Sequence, residues 1–419
     1  MYKNNLVPAS FVAHHLSLSV AALSCALLSS VALRAQTAVL GETVYTVSSS
    51  PIKDGVVLIK DGKIEAVGTA SSVKVPDGYK VLKAKVVTPG LVDAHGTVGL
   101  SGVLNQPQDQ DQLDKAAAMQ PELRAIDAYN AKDVLVEWVR SFGVTTVQTG
   151  HAPGALISGS TMVVKTYGRS ADEDAIVPAA MITATLGKDA TTQEKGKSPG
   201  TRAKAIAMLR AELIKAKEYA EKREKSPDDK KPGRDLHLDA LVPVLNGTQP
   251  LLITVDRYQD ILSALRVAKE FNLKIVIDGA AEAALVIDQI KASGFPVIVH
   301  PTMARSYEEN ENLSMETAST LKAAGIPFAL QTGFEAYVPK TRVVLWEAAE
   351  AAAHGLTFDQ ALASITLDAA KIIGVSDRLG SLDKGKDADL ALYDGDPFEY
   401  ITHCVGTIIG GQVYADGAH

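Results

Sequence analysis

The sequence predicts an α/β protein: a (β/α)8 TIM barrel over residues 88–380, with a small β-sandwich domain composed of both chain ends, 37–87 and 381–419. Three observations predict it. Short apolar runs alternate with amphipathic helical patterns through the middle of the chain; β-rich segments with tight-turn pairs stand at both ends; and 419 residues suffice for one large barrel plus a small module. Continuous apolar strands separated by helices mark a parallel sheet buried on both faces. Two β-rich ends pair only when the middle closes back on itself, which a barrel does.

The first element stands outside that fold. Residues 1–36 read as a secretory signal peptide: Lys3 precedes the uncharged run Leu16–Leu33, Arg34 follows it, and Ala35 and Ala38 are small enough for cleavage. Five serines in that run make it weak as a membrane span. The expected mature protein is exported, periplasmic or secreted, with a retained N-terminal anchor as the alternative. Cleavage removes Cys25 and leaves Cys404 as the one cysteine, so no intramolecular disulfide forms.

Next come Val56–Lys60 and Lys63–Val67, joined by Asp61-Gly62, a strong hairpin signal. Strand-like runs follow at Val86–Val92, Gly143–Val147, Thr161–Val164, Leu251–Val255, Lys274–Ile277, Pro296–Val299 and Ile326–Leu330, with a weaker one near Ala175–Thr185. Helical spacing lies between most of them, as in Ile261, Leu262, Leu265, Ala268 and Phe271. Lys215–Asp235, dense in mixed charge, reads as a solvated helix end and loop. The chain closes with Ala388–Tyr393 and Thr407–Tyr414, the latter turning at Gly410-Gly411.

Composition narrows the function. With 42 Lys+Arg, 49 Asp+Glu and a net charge of −7, the chain lacks the concentrated positive charge that nucleic-acid binding requires. There is no Gly-x-Ser-x-Gly elbow and no Walker-type phosphate loop. The expected partner is a small molecule.

In a barrel of this kind, residues at the carboxyl ends of strands face the active-site mouth. The most informative segment is Val87-Thr88-Pro89-Gly90-Leu91-Val92-Asp93-Ala94-His95-Gly96-Thr97. With it go Glu122–Ala128, Gly143–Gln148, Val163-Val164-Lys165 and the closing Gly380–Leu390. On these motifs the chain resembles the amidohydrolase superfamily, the urease-type metal-dependent hydrolases, and within it the exported imidazolonepropionase-like branch. The resemblance runs from about residue 40 to 415. It implies hydrolysis of C–N bonds in cyclic amides, imidazolones or peptide-like substrates at a divalent metal.

The resemblance also implies a metal-ligand set, and this sequence departs from it. The first histidine of the family's His-x-His falls on His95, the second on Thr97. The later His-x-His falls on Thr254-Val255-Asp256, Glu-His-Gly on Asp278-Gly279-Ala280, and Thr-Asp-His-Pro on Thr332-Gly333-Phe334-Glu335. Lys165 stands where relatives can carry a bridging carbamate. A catalytic zinc needs about three protein ligands and an open position. One imidazole among hydroxyls and bare backbone does not hold a divalent ion or activate its water.

The leading expectation is therefore a reduced-activity or inactive member with no cofactor, a degenerate metal site, and a role as ligand binder or structural partner. That role includes a homo-oligomer or a hetero-oligomer with an active relative. The alternative is an active hydrolase with a rebuilt zinc site, drawing on His95, His151, Lys165, Asp256, Asp278 and His300 around one mouth. A third course is metal-free chemistry built on Lys165 with Asp256 and Asp278.

Overall fold

The computed structural model describes residues 36–104, 106–191, 199–306, 308–334 and 343–414. Met1 to Arg34, Ala35 and with them nearly all of the expected signal peptide lie outside the described residues, as do Cys25 and Glu335. No helix among the described residues is long and apolar enough to cross a membrane.

The amino-terminal strands are β1 (Thr37–Val44), β2 (Ile52–Lys60), β3 (Lys63–Thr69) and β4 (Lys80–Pro89). The Asp61-Gly62 turn between β2 and β3 has φ of 52° and 79°, the paired positive values that a type I′ hairpin needs. The middle begins with β5 (Leu91–Gly96), helix α1 (Val134–Arg140), β6 (Val144–Thr149), β7 (Ile157–Ser160) and β8 (Met162–Lys165). Then come α2 (Ala171–Asp174), β9 (Ala175–Val177), β10 (Ile182–Thr185), α3 (Arg202–Lys225) and α4 (Leu236–Leu245). Strand and helix next alternate through β11 (Leu251–Val255), α5 (Tyr258–Phe271), β12 (Ile275–Gly279), α6 (Ile287–Ser293), β13 (Val297–Val299), α7 (Thr317–Ala324) and β14 (Phe328–Ala329). Helices α8 (Val344–Ala353), α9 (Phe358–Ser364) and α10 (Leu367–Ile372) precede β15 (Leu390–Tyr393), β16 (Cys404–Ile409) and β17 (Gln412–Tyr414).

These strands form three sheets. Both chain ends join in one seven-stranded sheet, ordered β17-β16-β15-β4-β1-β2-β3, because β15 pairs antiparallel with β4. A six-stranded sheet runs β14-β13-β12-β11-β10-β7, its first five strands parallel. A four-stranded sheet runs β5-β6-β8-β9, and an isolated parallel bridge between Gly96 and Gly333 links its β5 edge to the end of β14. Val92, Ala94, Val163, Leu252, Val276, Ile298 and Ala329, contributed by six strands of these two sheets, pack into one apolar cluster with Ala369 and Ala370 of α10. Alternation along each strand aims these side chains to one side and the intervening ones toward the helices. Helix α5 buries Ile261, Ala264, Val267 and Ala268 and stops at Asn272 in the left-handed conformation.

One strand runs against expectation. β8 pairs antiparallel with β6, so its carboxyl end at Lys165 lies opposite Thr146, near the start of β6. A four-residue apolar run carries no signal of direction. The reversal moves Lys165 away from the ends of the parallel strands.

Candidate ligand-binding site

The carboxyl ends of the parallel strands converge on a cavity of about 730 Å³. Its wall includes His95 from β5, Thr254 from β11, Asp278 and Gly279 from β12, and His300 and Gln331 just beyond β13 and β14. Thr97, Asp256 and Gly333 also line it, together with Asp189, Arg305 and Asn310 from the connecting loops. Lys165 and His151 do not.

Asp278 organises the floor. Its Oδ1 accepts from Gln331 Nε2 at 2.7 Å and lies 3.3 Å from His95 Nδ1, while Oδ2 accepts from the Thr254 hydroxyl at 2.6 Å. Burial works against both charges, yet the mutual attraction prevails: His95 is held above its usual pKa and Asp278 below its own. Hydrogen bonds from Thr254 and Gln331 add to the stabilisation of the carboxylate. The other ring nitrogen of His95, Nε2, is buried with no hydrogen-bond partner. Behind the pair, Asp93 accepts from the backbone and hydroxyl of Thr332. Burial pushes Asp93 up to about 6, against the pull of Thr332 and His95.

Asp256 differs. Its Oδ1 accepts one backbone N–H, from Ala281 at 3.2 Å, and among the described residues no cation pairs with it. The neighbouring Arg257 turns instead to Glu282 and Glu311. Burial pushes Asp256 up to about 7, partly countered by Ala281 and reinforced by Asp278, Asp189 and Glu309.

The remaining positions fall as follows. His300 places Nδ1 3.0 Å from the Pro301 carbonyl and Nε2 3.0 Å from the Thr317 hydroxyl. A carbonyl only accepts, so Nδ1 donates to Pro301, while the Thr317 hydroxyl gives its own hydrogen to the Ser314 carbonyl at 2.8 Å. Burial keeps this ring below its usual pKa. His151 is buried against Gly159, close enough to His95 for the two charges to repel, and burial lowers it to about 4. Lys165 is not a cavity residue, contrary to expectation: its Nζ pairs with Asp387 at 3.1 Å and with Asp389, both on the segment leading into β15. The antiparallel course of β8 accounts for this.

These residues do not fit a divalent metal. Among the described residues no group of three or more His, Cys, Asp or Glu side chains is placed to hold one. Asp278 is already engaged by His95, Thr254 and Gln331, and both nitrogens of His300 are engaged. At Gly279, φ is +85° and an added Cβ would meet Asp256 Oδ1 at 2.7 Å; at Gly333, φ is +61° and a Cβ would meet Pro301 Cγ at 2.8 Å. Neither position accepts a side chain without rearrangement.

Sequence reasoning missed Gln331, Asp93, Asp189, Arg305 and Asn310. Gln331 carried a usable signal, as a polar residue directly after the apolar run Ile326–Leu330. The loop residues carried none.

Residues 320–415 match the model of a family described as amidohydrolase. The chain is 24% identical over 377 residues to the imidazolonepropionase of Rhizobium rhizogenes, covering 82% of this chain and 87% of that protein. It is 26% identical over 403 residues to the imidazolonepropionase of Brucella anthropi, with the same coverages of 82% and 87%. Among solved structures, an amidohydrolase from Thermotoga maritima MSB8 is similar with a TM-score of 0.84 and 28% identity, over 90% of this chain and 99% of that one.

Proposed function

Because this chain belongs to the amidohydrolase superfamily, we propose that it keeps the family's (β/α)8 barrel, with the composite sheet folded as a sandwich beside it, and uses the barrel mouth to bind a small C–N-bonded molecule without metal-dependent turnover. The observation that carries this reading is the carboxylate of Asp278, held by three protein groups. Where the family resemblance leads to metal ligands, His95, Thr254 and Gln331 satisfy that carboxylate between them. A group whose lone pairs are already committed to buried protein donors gains little from exchanging them for a cation. The uncharged run at Leu16–Leu33 supports export of the protein as the setting for this role.

Metal analysis after dialysis, combined with hydrolysis assays on imidazolone and cyclic-amide substrates with and without chelator, tests the proposal. The expected result is substoichiometric metal and no chelator-sensitive turnover. Near-stoichiometric zinc that disappears in His95→Ala would overturn it.

One observation favours a second reading. A buried imidazole oriented by a carboxylate at Nδ1, with Nε2 unpartnered on the cavity wall, is the arrangement of a general acid or base. Slow chelator-insensitive hydrolysis abolished in His95→Gln would support this over pure binding.

A further inference from the structure

We propose that the ligand of this cavity is a cationic amide: a protonated amine paired with Asp256, and an amide group hydrogen-bonded to Nε2 of His95. The inference rests on the binding role argued above and adds the chemical class of what is bound.

Two independent features lead to it. Asp256 lines the cavity with a carboxylate that holds one backbone hydrogen bond and no cation among the described residues. Its nearest basic neighbour in sequence, Arg257, is committed to Glu282 at 3.0 Å and Glu311 at 2.8 Å. The backbone is shaped around that carboxylate, since Gly279 leaves room for Oδ1 that any Cβ would take. Separately, His95 is 3% exposed, and its Nε2 has no partner although Nδ1 is anchored on Asp278. A buried ring nitrogen without a partner is costly, and an amide, which carries both a C=O and an N–H, satisfies Nε2 whether or not that nitrogen holds a proton. A molecule with a cation at one place and an amide at another answers both vacancies.

Charge on the wall agrees. Asp278 stands on the same cavity as Asp256 and is already paired with His95. An anionic ligand would therefore meet repulsion beside Asp256.

Three molecules of similar size separate the possibilities: γ-aminobutyramide, butyramide and succinamate, which carry an amide with a cation, no charge and an anion respectively. Titration calorimetry on the full chain is expected to show γ-aminobutyramide binding about tenfold more tightly than butyramide, with succinamate weakest. Asp256→Asn removes the preference for the cation and leaves butyramide affinity unchanged; Asp256→Ser repeats the test should the first variant fold poorly. Equal binding of all three, tighter binding of succinamate, or an intact cation preference in both variants would overturn the inference while leaving a binding role in place. Binding of none of them would overturn the binding role as well.

Discussion

Glycine at 279 decides whether this cavity can be given a further metal-binding side chain by substitution. Its φ of +85° costs a side-chain-bearing residue about 1–2 kcal/mol, and its Cβ would press on Asp256 Oδ1. Gly279→His is therefore expected to lose about 2 kcal/mol or more in urea denaturation and to gain no zinc by metal analysis. Asp256 offers a complementary prediction. Its carboxyl titrates near 3.8 when unfolded and about 7 when folded, so between those values the native state binds the extra proton. Stability then falls as pH rises through this window. Because the side chain meets cavity solvent, the effect is a discounted about 2 kcal/mol. Asp256→Asn removes the penalty: it should unfold at higher denaturant than the parent above about pH 7 and match it near pH 4.

The segment from Pro301 to Asn312 closes one side of the cavity and is strapped down by ion pairs. Arg202 at the start of α3 reaches Asp260 and Glu309, each at 2.8 Å. Arg257, just before α5, reaches Glu282 and Glu311, and Asn312 donates to Glu282 at 2.7 Å. Asp260 is 3% exposed, so the loss of its guanidinium strands a carboxylate in the protein. Arg202→Met is expected to cost about 1–2 kcal/mol, the half-exposed arginine reducing the figure for a fully buried pair. Limited proteolysis should cut first between 301 and 312, and protection equal to that of the parent would refute the strap. None of this was legible in the sequence. The alternation from β11 to β14 was, because each run there is continuous and apolar and each helix keeps its spacing. A loop's ion pairs depend on which distant elements it meets, and β8 is too short to reveal its direction.

Lys165 fastens the closing segment of the chain to β8. The β-rich character of both termini was legible, and the pairing of β15 with β4 follows from it, but the residue that holds the closing segment was not, since a lysine at a strand end reads equally as a ligand. In the structure it is 3% exposed and bonded to Asp387 and Asp389, with Lys63 and Arg378 completing the shell around Asp387. Burial opposes the charge on Asp387, but Lys165, Lys63 and Arg378 hold it down to about 2. That contribution is intact above the unfolded value of 3.8 and is lost as pH falls from there toward 2. Asp389 has no second cation among the described residues, its other oxygen accepting from the Gly410 N–H at 2.8 Å. Lys165→Met is thus expected to cost about 3–5 kcal/mol, the range for a buried pair deprived of one partner. Asp389→Asn in the same chain should recover part of that loss, because the stranded charge is gone. Both variants should match the parent in titrations with γ-aminobutyramide once conditions keep them folded. A calorimetric affinity that drops on Lys165→Met while the unfolding midpoint stays unchanged would return this lysine to the cavity chemistry from which the antiparallel course of β8 removes it.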